Sequence, residues 1–307
     1  MRFLFFCLFA SVMLGAGGLS QKETWSQQRA FFQKNGYLWV KNFFSPDQVS
    51  LLQFWADRVN KEAQSTLWLS QTTGRPLQEI AQDIPGSLII VPEASDPLLV
   101  CRTEDMLTCY PDLLHFIEGT LTFYLGQIFD EPYVLFKDKL NFKWPGGGAF
   151  PPHQDFPAYE LFGPREHITA MVFIDPATLE NGCLQVAQNW KETFADAPLL
   201  DPEELKAGRA VLPYIVGGKG HGTIQAQYVE KINWLPLIAS PGDLVLISSF
   251  IPHYSEPNHS DHPRRAMLFT HNRLSEGEHR KAYYHMKRQD PDNPVFHIAT
   301  PTKARTK

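Results

Sequence analysis

From about residue 134 onward the chain breaks into short apolar or alternating segments separated by turn formers: 134–144, 168–174, 183–187, 235–239, 243–248 and 266–271. Strands this short bury their apolar faces only by pairing with one another, so the pattern points to a β-sandwich or jelly roll. The breaks between them suit tight reversals: Pro145-Gly146-Gly147-Gly148, Asn181-Gly182 and Pro241-Gly242-Asp243. The 22 Phe and 24 Pro agree, because aromatics favour pleated surfaces and prolines punctuate them.

The first part of the chain reads differently. A short helix is expected over 25–34 and a strand over 36–40. Ser45 then serves as N-cap, Pro46 as the first helical residue and Gln48 as the capping-box partner, with Val49, Leu52, Trp55 and Val59 at helical spacing. Residues 70–110 read as irregular with short apolar runs such as 88–91, and 111–129 as a second amphipathic helix. At 307 residues a single domain over 21–298 is expected, helical to about 130 with a jelly-roll core over about 134–275.

Residues 1–20 show Met-Arg, an apolar run over 3–14 and the small residues Gly15-Ala16-Gly17-Gly18. That is the layout of a secretory signal peptide, and the run is too short to span a bilayer comfortably. A buried N-terminal helix and an uncleaved anchor are the other readings. A working leader implies a periplasmic or extracellular protein with no stable membrane span after removal; without one the protein is cytoplasmic. The polar tail at 299–307 is expected to be disordered. Beyond Cys7 only Cys101, Cys109 and Cys183 remain, with no Cys-x-x-Cys pair. A Cys101–Cys109 bridge is permitted in an exported protein, and isolated buried thiols are equally compatible.

The net charge of −5, with Lys and Arg scattered, leaves no electrostatic footprint for nucleic acid. A small-molecule partner is the expectation. In an extended segment residues two apart share a face, so His153 and Asp155 of His153-Gln154-Asp155 can converge on one ion. The motif alone is weak. With 11 histidines the chain has roughly even odds of a chance His-x-Asp, and His259-Ser260-Asp261 is a second instance inside a run of turn formers that reads as a solvated loop. The first instance gains weight from His253, which closes an apolar strand and can meet it inside a jelly roll.

Two imidazoles and a carboxylate leave open positions suited to non-haem iron(II), while zinc accepts the same set with one water. The triad therefore leaves the metal open. Arg264, just ahead of the strand 266–271, adds a guanidinium able to grip an organic dicarboxylate by two parallel hydrogen bonds. An ordinary surface ion pair is its plain alternative. Phe156 and Tyr159 are candidates for an aromatic substrate wall, and Lys139 for an anion contact if it projects into the pocket.

Taken in order, Lys139-Leu140-Asn141-Phe142-Lys143, Gly146-Gly147-Gly148-Ala149-Phe150 leading into His153-Gln154-Asp155, Asn181-Gly182-Cys183-Leu184, and His253-Tyr254-Ser255 with Asn258, Ser260 and Arg264-Arg265 resemble the phytanoyl-CoA dioxygenase family of iron(II)/2-oxoglutarate oxygenases. That family includes ectoine hydroxylases and aminoalkylphosphonate hydroxylases, and the resemblance covers roughly residues 30–290. It implies a double-stranded β-helix, the cupin-like form of the jelly roll. It further implies that His153, Asp155 and His253 bind iron and that Arg264 anchors the distal carboxylate of 2-oxoglutarate. Asn141, Thr169 and Ser255 are expected as further co-substrate contacts, with Phe150 packed beside them. The implied reaction hydroxylates a small organic substrate with 2-oxoglutarate and O2 as co-substrates, succinate and CO2 as co-products and ascorbate as a stimulant. Ala187-Gln188-Asn189-Trp190 departs from the family's usual Pro-Gly-Ser-His, and an export leader is unusual for enzymes fed by cytoplasmic 2-oxoglutarate. Asp155 argues against halogenation, since halogenating relatives lack that carboxylate. The competing readings are a non-catalytic jelly-roll protein that binds a metal or small molecule, and a zinc-dependent cupin-type enzyme. Neither gives Arg264 a task.

Overall fold

The computed structural model describes residues 21–83, 88–218, 220–290, 293 and 296. The leader expected at 1–20 and the tail at 299–307 lie outside the described residues. The strands are β1 (Tyr37–Val40), β2 (Ile89–Pro92), β3 (Val100–Glu104), β4 (Tyr133–Lys143), β5 (Phe150–His153), β6 (Ile168–Phe173), β7 (Gln185–Gln188), β8 (Asn233–Pro236), β9 (Leu244–Ser248), β10 (His253–Ser255) and β11 (Arg264–Arg273). They form a seven-stranded sheet in the order β1-β9-β6-β11-β4-β3-β2 and a four-stranded sheet in the order β5-β10-β7-β8. Every pairing is antiparallel. This is the double-stranded β-helix that the segment pattern and the resemblance foretell.

Side-chain alternation assigns each face of the large sheet to a core of its own. Met267, Phe269, Ala170, Val172, Leu244 and Leu246 join a core covered by helices. Their neighbours Ala266, Leu268, Met171, Phe173, Val245 and Ile247 point the other way, into the core between the sheets. A residue period of two on strands buried on both faces gives near-continuous apolar runs, which is why these segments were readable.

The helix Pro46–Thr73 starts as its sequence dictates. Ser45 Oγ accepts from Gln48 N at 3.3 Å and Gln48 Oε1 accepts from Ser45 N at 2.9 Å, a full capping box, and Gly74 closes the helix in the left-handed region at φ 70°. Such a cap contributes about 1 kcal/mol. The expected helix over 111–129 is continuous but includes a π turn, Glu118–Thr122, between Pro111–Ile117 and Phe123–Phe129. Thr120 Oγ1 donates back to Phe116 O at 2.7 Å there, the kind of side-chain competition that loosens a regular ladder.

Residues 70–110 are a correction. The helix runs on to Thr73, and β2 and β3 extend the large sheet at its β4 edge. Arg102 and Glu104 occupy alternate positions of β3, so the inward face of that strand is charged and its sequence lacks the apolar alternation that marks a strand. With β1, these strands complete the sheet from chain that precedes residue 134.

At one end of the large sheet a small aromatic core of Phe136, Tyr159, Phe162, Tyr283 and Tyr284 joins β4 to the C-terminal helix Arg280–Gln289. The Tyr284 hydroxyl accepts from Asp138 N and donates to Asp138 O, both at 2.9 Å, and Arg280 bonds Asp105 and Asp138 at 2.8 Å. At the Asn181-Gly182 turn the chain needs glycine: φ is +71°, and a Cβ would come within 2.1 Å of the Glu256 carbonyl oxygen. The three described cysteines are free thiols, so the Cys101–Cys109 bridge is absent. Burial pushes both thiols up to about 12. No described helix is long and apolar enough to cross a membrane.

Candidate metal and co-substrate site

β5 and β10 are adjacent in the small sheet with His153 directly opposite His253. A cross-strand pair of this kind brings side chains on one face within contact, and the two imidazole centroids are 4.2 Å apart. Each ring is held in the same way: His153 Nδ1 donates to Pro151 O at 2.7 Å and His253 Nδ1 to Ile251 O at 3.0 Å. A carbonyl only accepts, so Nδ1 carries the proton in the neutral ring and Nε2 presents its lone pair. Burial, then the neighbouring His253, pulls His153 down to about 3 despite Asp155. It is therefore neutral at physiological pH.

Asp155 reaches the same point by a route different from the one its spacing suggests. The strand ends at His153, and Asp155 adopts helical φ −74°, ψ −27° at the entry to the 3-10 turn Phe156–Ala158. Its Oδ1 lies 3.7 Å from His153 Nε2. Ligand atoms of His153, Asp155 and His253 all fall within 4.8 Å of one another. Burial works to raise the Asp155 carboxyl, but His253, Lys139 and His153 outweigh it and hold the group well below the usual carboxylate range. Two imidazoles with Nδ1 committed to backbone carbonyls, and a carboxylate, fit a divalent first-row metal on their chemistry alone.

Between the ligands, Gln154 points away and fixes the turn. Its Nε2 donates to Ala210 O at 2.9 Å and to Phe250 O, and its Oε1 accepts from Leu212 N at 2.7 Å. Sequence reading passed over it; its only signal is a polar residue lodged between two ligands.

Arg264 opens β11 opposite Lys143. It is buried, and its Nε and Nη1 reach no hydrogen-bond partner among the described residues. Burial lowers its pKa to about 10, against weaker pulls from Cys183 and Asp175. The surface ion pair considered for it is thereby excluded. Close by, Lys143 Nζ donates to Ser255 Oγ at 2.7 Å and to Glu256 O, and lies 5.5 Å from the Phe150 ring centroid. Ser255 and Phe150 are themselves register partners. Asn141 sits two positions from Lys143 with a buried, unpartnered Oδ1. Arg264, Lys143, Asn141, Ser255 and Phe150 thus form one polar group, and Lys143 is a member that sequence reading did not single out as a site residue.

Thr169 is placed elsewhere. It is opposite Thr270, with the two hydroxyls 2.9 Å apart. At ~3.4 Å per residue it stands about 20 Å along β11 from Arg264. Phe156 stacks on Phe250 with centroids 4.3 Å apart, and Tyr159 is buried in the aromatic core, 5.3 Å from Phe136. Lys139 is only partly buried and faces Asp155 electrostatically. The other His-x-Asp is a loop, as expected: His259 and Asp261 are exposed. Its anchor is Asn258, whose Nδ2 donates to Lys143 O at 2.9 Å and His262 O at 2.7 Å.

The sequence profile of the phytanoyl-CoA dioxygenase family matches residues 32–266. A 2-aminoethylphosphonate dioxygenase of an uncultured bacterium (HF130_AEPn_1) is 33% identical over 267 residues, covering 86% of this chain and 87% of that protein. A methylphosphonate hydroxylase of Gimesia maris is 30% identical over 272 residues, covering 88% and 86%. Among solved structures, EctD from S. alaskensis with 2-oxoglutarate and 5-hydroxyectoine shares the fold with a TM-score of 0.61 at 18% identity, over 82% of this chain and 77% of that one.

Proposed function

The chain belongs to the phytanoyl-CoA dioxygenase family of 2-oxoglutarate-dependent oxygenases, and on that premise we propose that it hydroxylates a small organic substrate at an iron(II) centre held by His153, Asp155 and His253. The observation that carries this reading is the pairing of a convergent, buried triad with a buried guanidinium that has unpartnered donors.

When bound, iron(II) with 2-oxoglutarate and O2 supplies oxidative decarboxylation to succinate and CO2 and the oxygen atom inserted into a substrate C–H bond. The chain's own residues supply position and charge. His153 and His253 offer Nε2 from rings locked at Nδ1. Asp155 stays ionised and balances part of the metal's charge. Arg264 presents its fork to the distal carboxylate of 2-oxoglutarate, a match of planar donors to planar acceptors. Asn141, Ser255 and Phe150 shape the same recess, and Lys143, whose pKa burial and then Arg264 lower to about 6, adds a further hydrogen-bond donor there. No side chain is required as acid or base. A zinc cupin or a binding protein would leave Arg264 buried and uncompensated, which is costly.

The relatives named for 2-aminoethylphosphonate and methylphosphonate support organophosphonates as the first substrates to screen. The test is aerobic incubation with iron(II), 2-oxoglutarate and a panel of small phosphonates, with succinate and product mass read together. Succinate in step with a product heavier by one oxygen is expected, and its loss in Asp155→Ala. Turnover of substrate without succinate would reject the reading.

A further inference from the structure

Beyond Arg264 the site holds a second group of cations. Lys137, Lys139, Asn141 and Lys143 alternate along β4, while Leu140 and Phe142 between them belong to the helix-side core. β3 sets Arg102 opposite Asn141 and Glu104 opposite Lys139. Glu104 is already engaged: Lys287 Nζ reaches both its oxygens at 2.8 Å and Arg102 Nε lies 2.7 Å from Oε1. Lys139 makes no hydrogen bond and no ion pair with any described residue, although Asp155, Arg102 and Glu104 all act on it electrostatically. Lys137 Nζ donates to the Tyr283 hydroxyl at 3.3 Å and lies 4.7 Å from the Tyr159 ring centroid.

Four basic side chains, Lys137, Lys139, Arg102 and Lys287, therefore gather around two carboxylates, Glu104 and the Asp155 of the metal triad. Their mutual repulsion in a low-dielectric interior is relieved by an anion from outside. Lys137 registers the strain: burial and then Lys139 pull it down to about 7. The distal carboxylate of 2-oxoglutarate does not account for this group, since Arg264 and Lys143 stand together at another point of the sheet. Several convergent donors match a compact, dianionic tetrahedral headgroup better than a single carboxylate.

We propose that Lys139 and Arg102, backed by Lys137, bind the substrate through a phosphonate headgroup and so present the carbon next to it to the metal, with Tyr159 as the adjoining wall. This rests on the dioxygenase reading above. It assigns Lys139 a binding role and no part in bond breaking.

The test uses the full protein loaded with iron(II) under argon, titrated by calorimetry first with 2-oxoglutarate and then with methylphosphonate. Lys139→Met is expected to weaken methylphosphonate at least tenfold while moving 2-oxoglutarate affinity less than twofold, with unfolding temperature unchanged. Lys139→Arg should restore most of the loss, and Arg102→Gln should repeat it. The uncharged dimethyl methylphosphonate should not bind. The proposal is overturned if Lys139→Met weakens 2-oxoglutarate instead, if methylphosphonate affinity ignores the change, or if wild type binds the diester as well as the dianion. Failure of wild type to bind 2-oxoglutarate would overturn the dioxygenase reading, and this proposal with it.

Discussion

Arg264 and Arg265 are consecutive on β11 and project to opposite faces of the sheet. Arg265 is fully engaged, with Nε and Nη2 each 2.8 Å from the two oxygens of Asp175 and Nη1 on Asp57. Arg264 is more deeply buried and leaves Nε and Nη1 without a described partner. One arginine is spent on contacts within the fold, and its neighbour carries the unpartnered donors on which the proposed 2-oxoglutarate site rests.

Opposite phenotypes follow for the two positions. Arg264→Met should leave thermal stability equal or higher, since it removes a buried charge lacking compensation, while weakening 2-oxoglutarate by about 2–5 kcal/mol. Arg265→Met should cost about 1.5–3 kcal/mol of stability through its lost charged hydrogen bonds and leave 2-oxoglutarate affinity alone. Thermal unfolding and calorimetry on both variants check the contrast.

Gln154 ties the ligand turn to Ala210, Phe250 and Leu212. Gln154→Leu strands these buried backbone groups, at about 1–3 kcal/mol, and frees the turn that carries Asp155. Lower unfolding temperature together with weaker iron(II) binding is expected. A variant that loses stability but binds iron as wild type would show that the turn keeps its shape without the pin.

The Glu104 cluster predicts an acid limb of stability. Burial works to raise this carboxyl, but Lys287, Arg102 and Lys137 hold it below its ordinary value of 4.5. The unfolded chain therefore binds the proton first as pH falls, so the contribution is fully present above about 4.5 and is lost below it. Unfolding temperatures measured from pH 7 to pH 3 should fall in wild type. Glu104→Gln should start lower, by about 3–5 kcal/mol for a broken buried pair, and the gap to wild type should narrow toward the acid end.

Free thiols at Cys101, Cys109 and Cys183 predict three alkylated cysteines in the region 21–290 when the protein is unfolded without reductant. Reductant should not change its unfolding temperature. A mass two hydrogens lighter than the fully reduced chain, with Cys101 and Cys109 both unalkylated, would place a disulfide back between them.

What the sequence made legible was what depends on local pattern. The capping box at Ser45, the turn at Asn181-Gly182 and the strands buried on both faces could all be read from short windows. The His153, Asp155, His253 set was readable because its members stand in a short motif and at the end of an apolar strand. β3 was not, because Arg102 and Glu104 face the site and erase the alternation that identifies a strand. The helical turn at Asp155, the pinning by Gln154 and the grouping of Lys143 with Arg264 depend on contacts between distant segments, for which a single sequence carries no signal. The pairing of the Thr169 hydroxyl with that of Thr270, 2.9 Å away on the neighbouring strand, likewise joins distant segments.

The most direct test of the central claim is anaerobic titration of the protein with iron(II) and 2-oxoglutarate, followed by the weak visible charge-transfer band of the chelate. The account predicts a band in wild type that weakens in Arg264→Ala and is disturbed in Asp155→Ala. Bound iron with no band and no affinity for 2-oxoglutarate would contradict it.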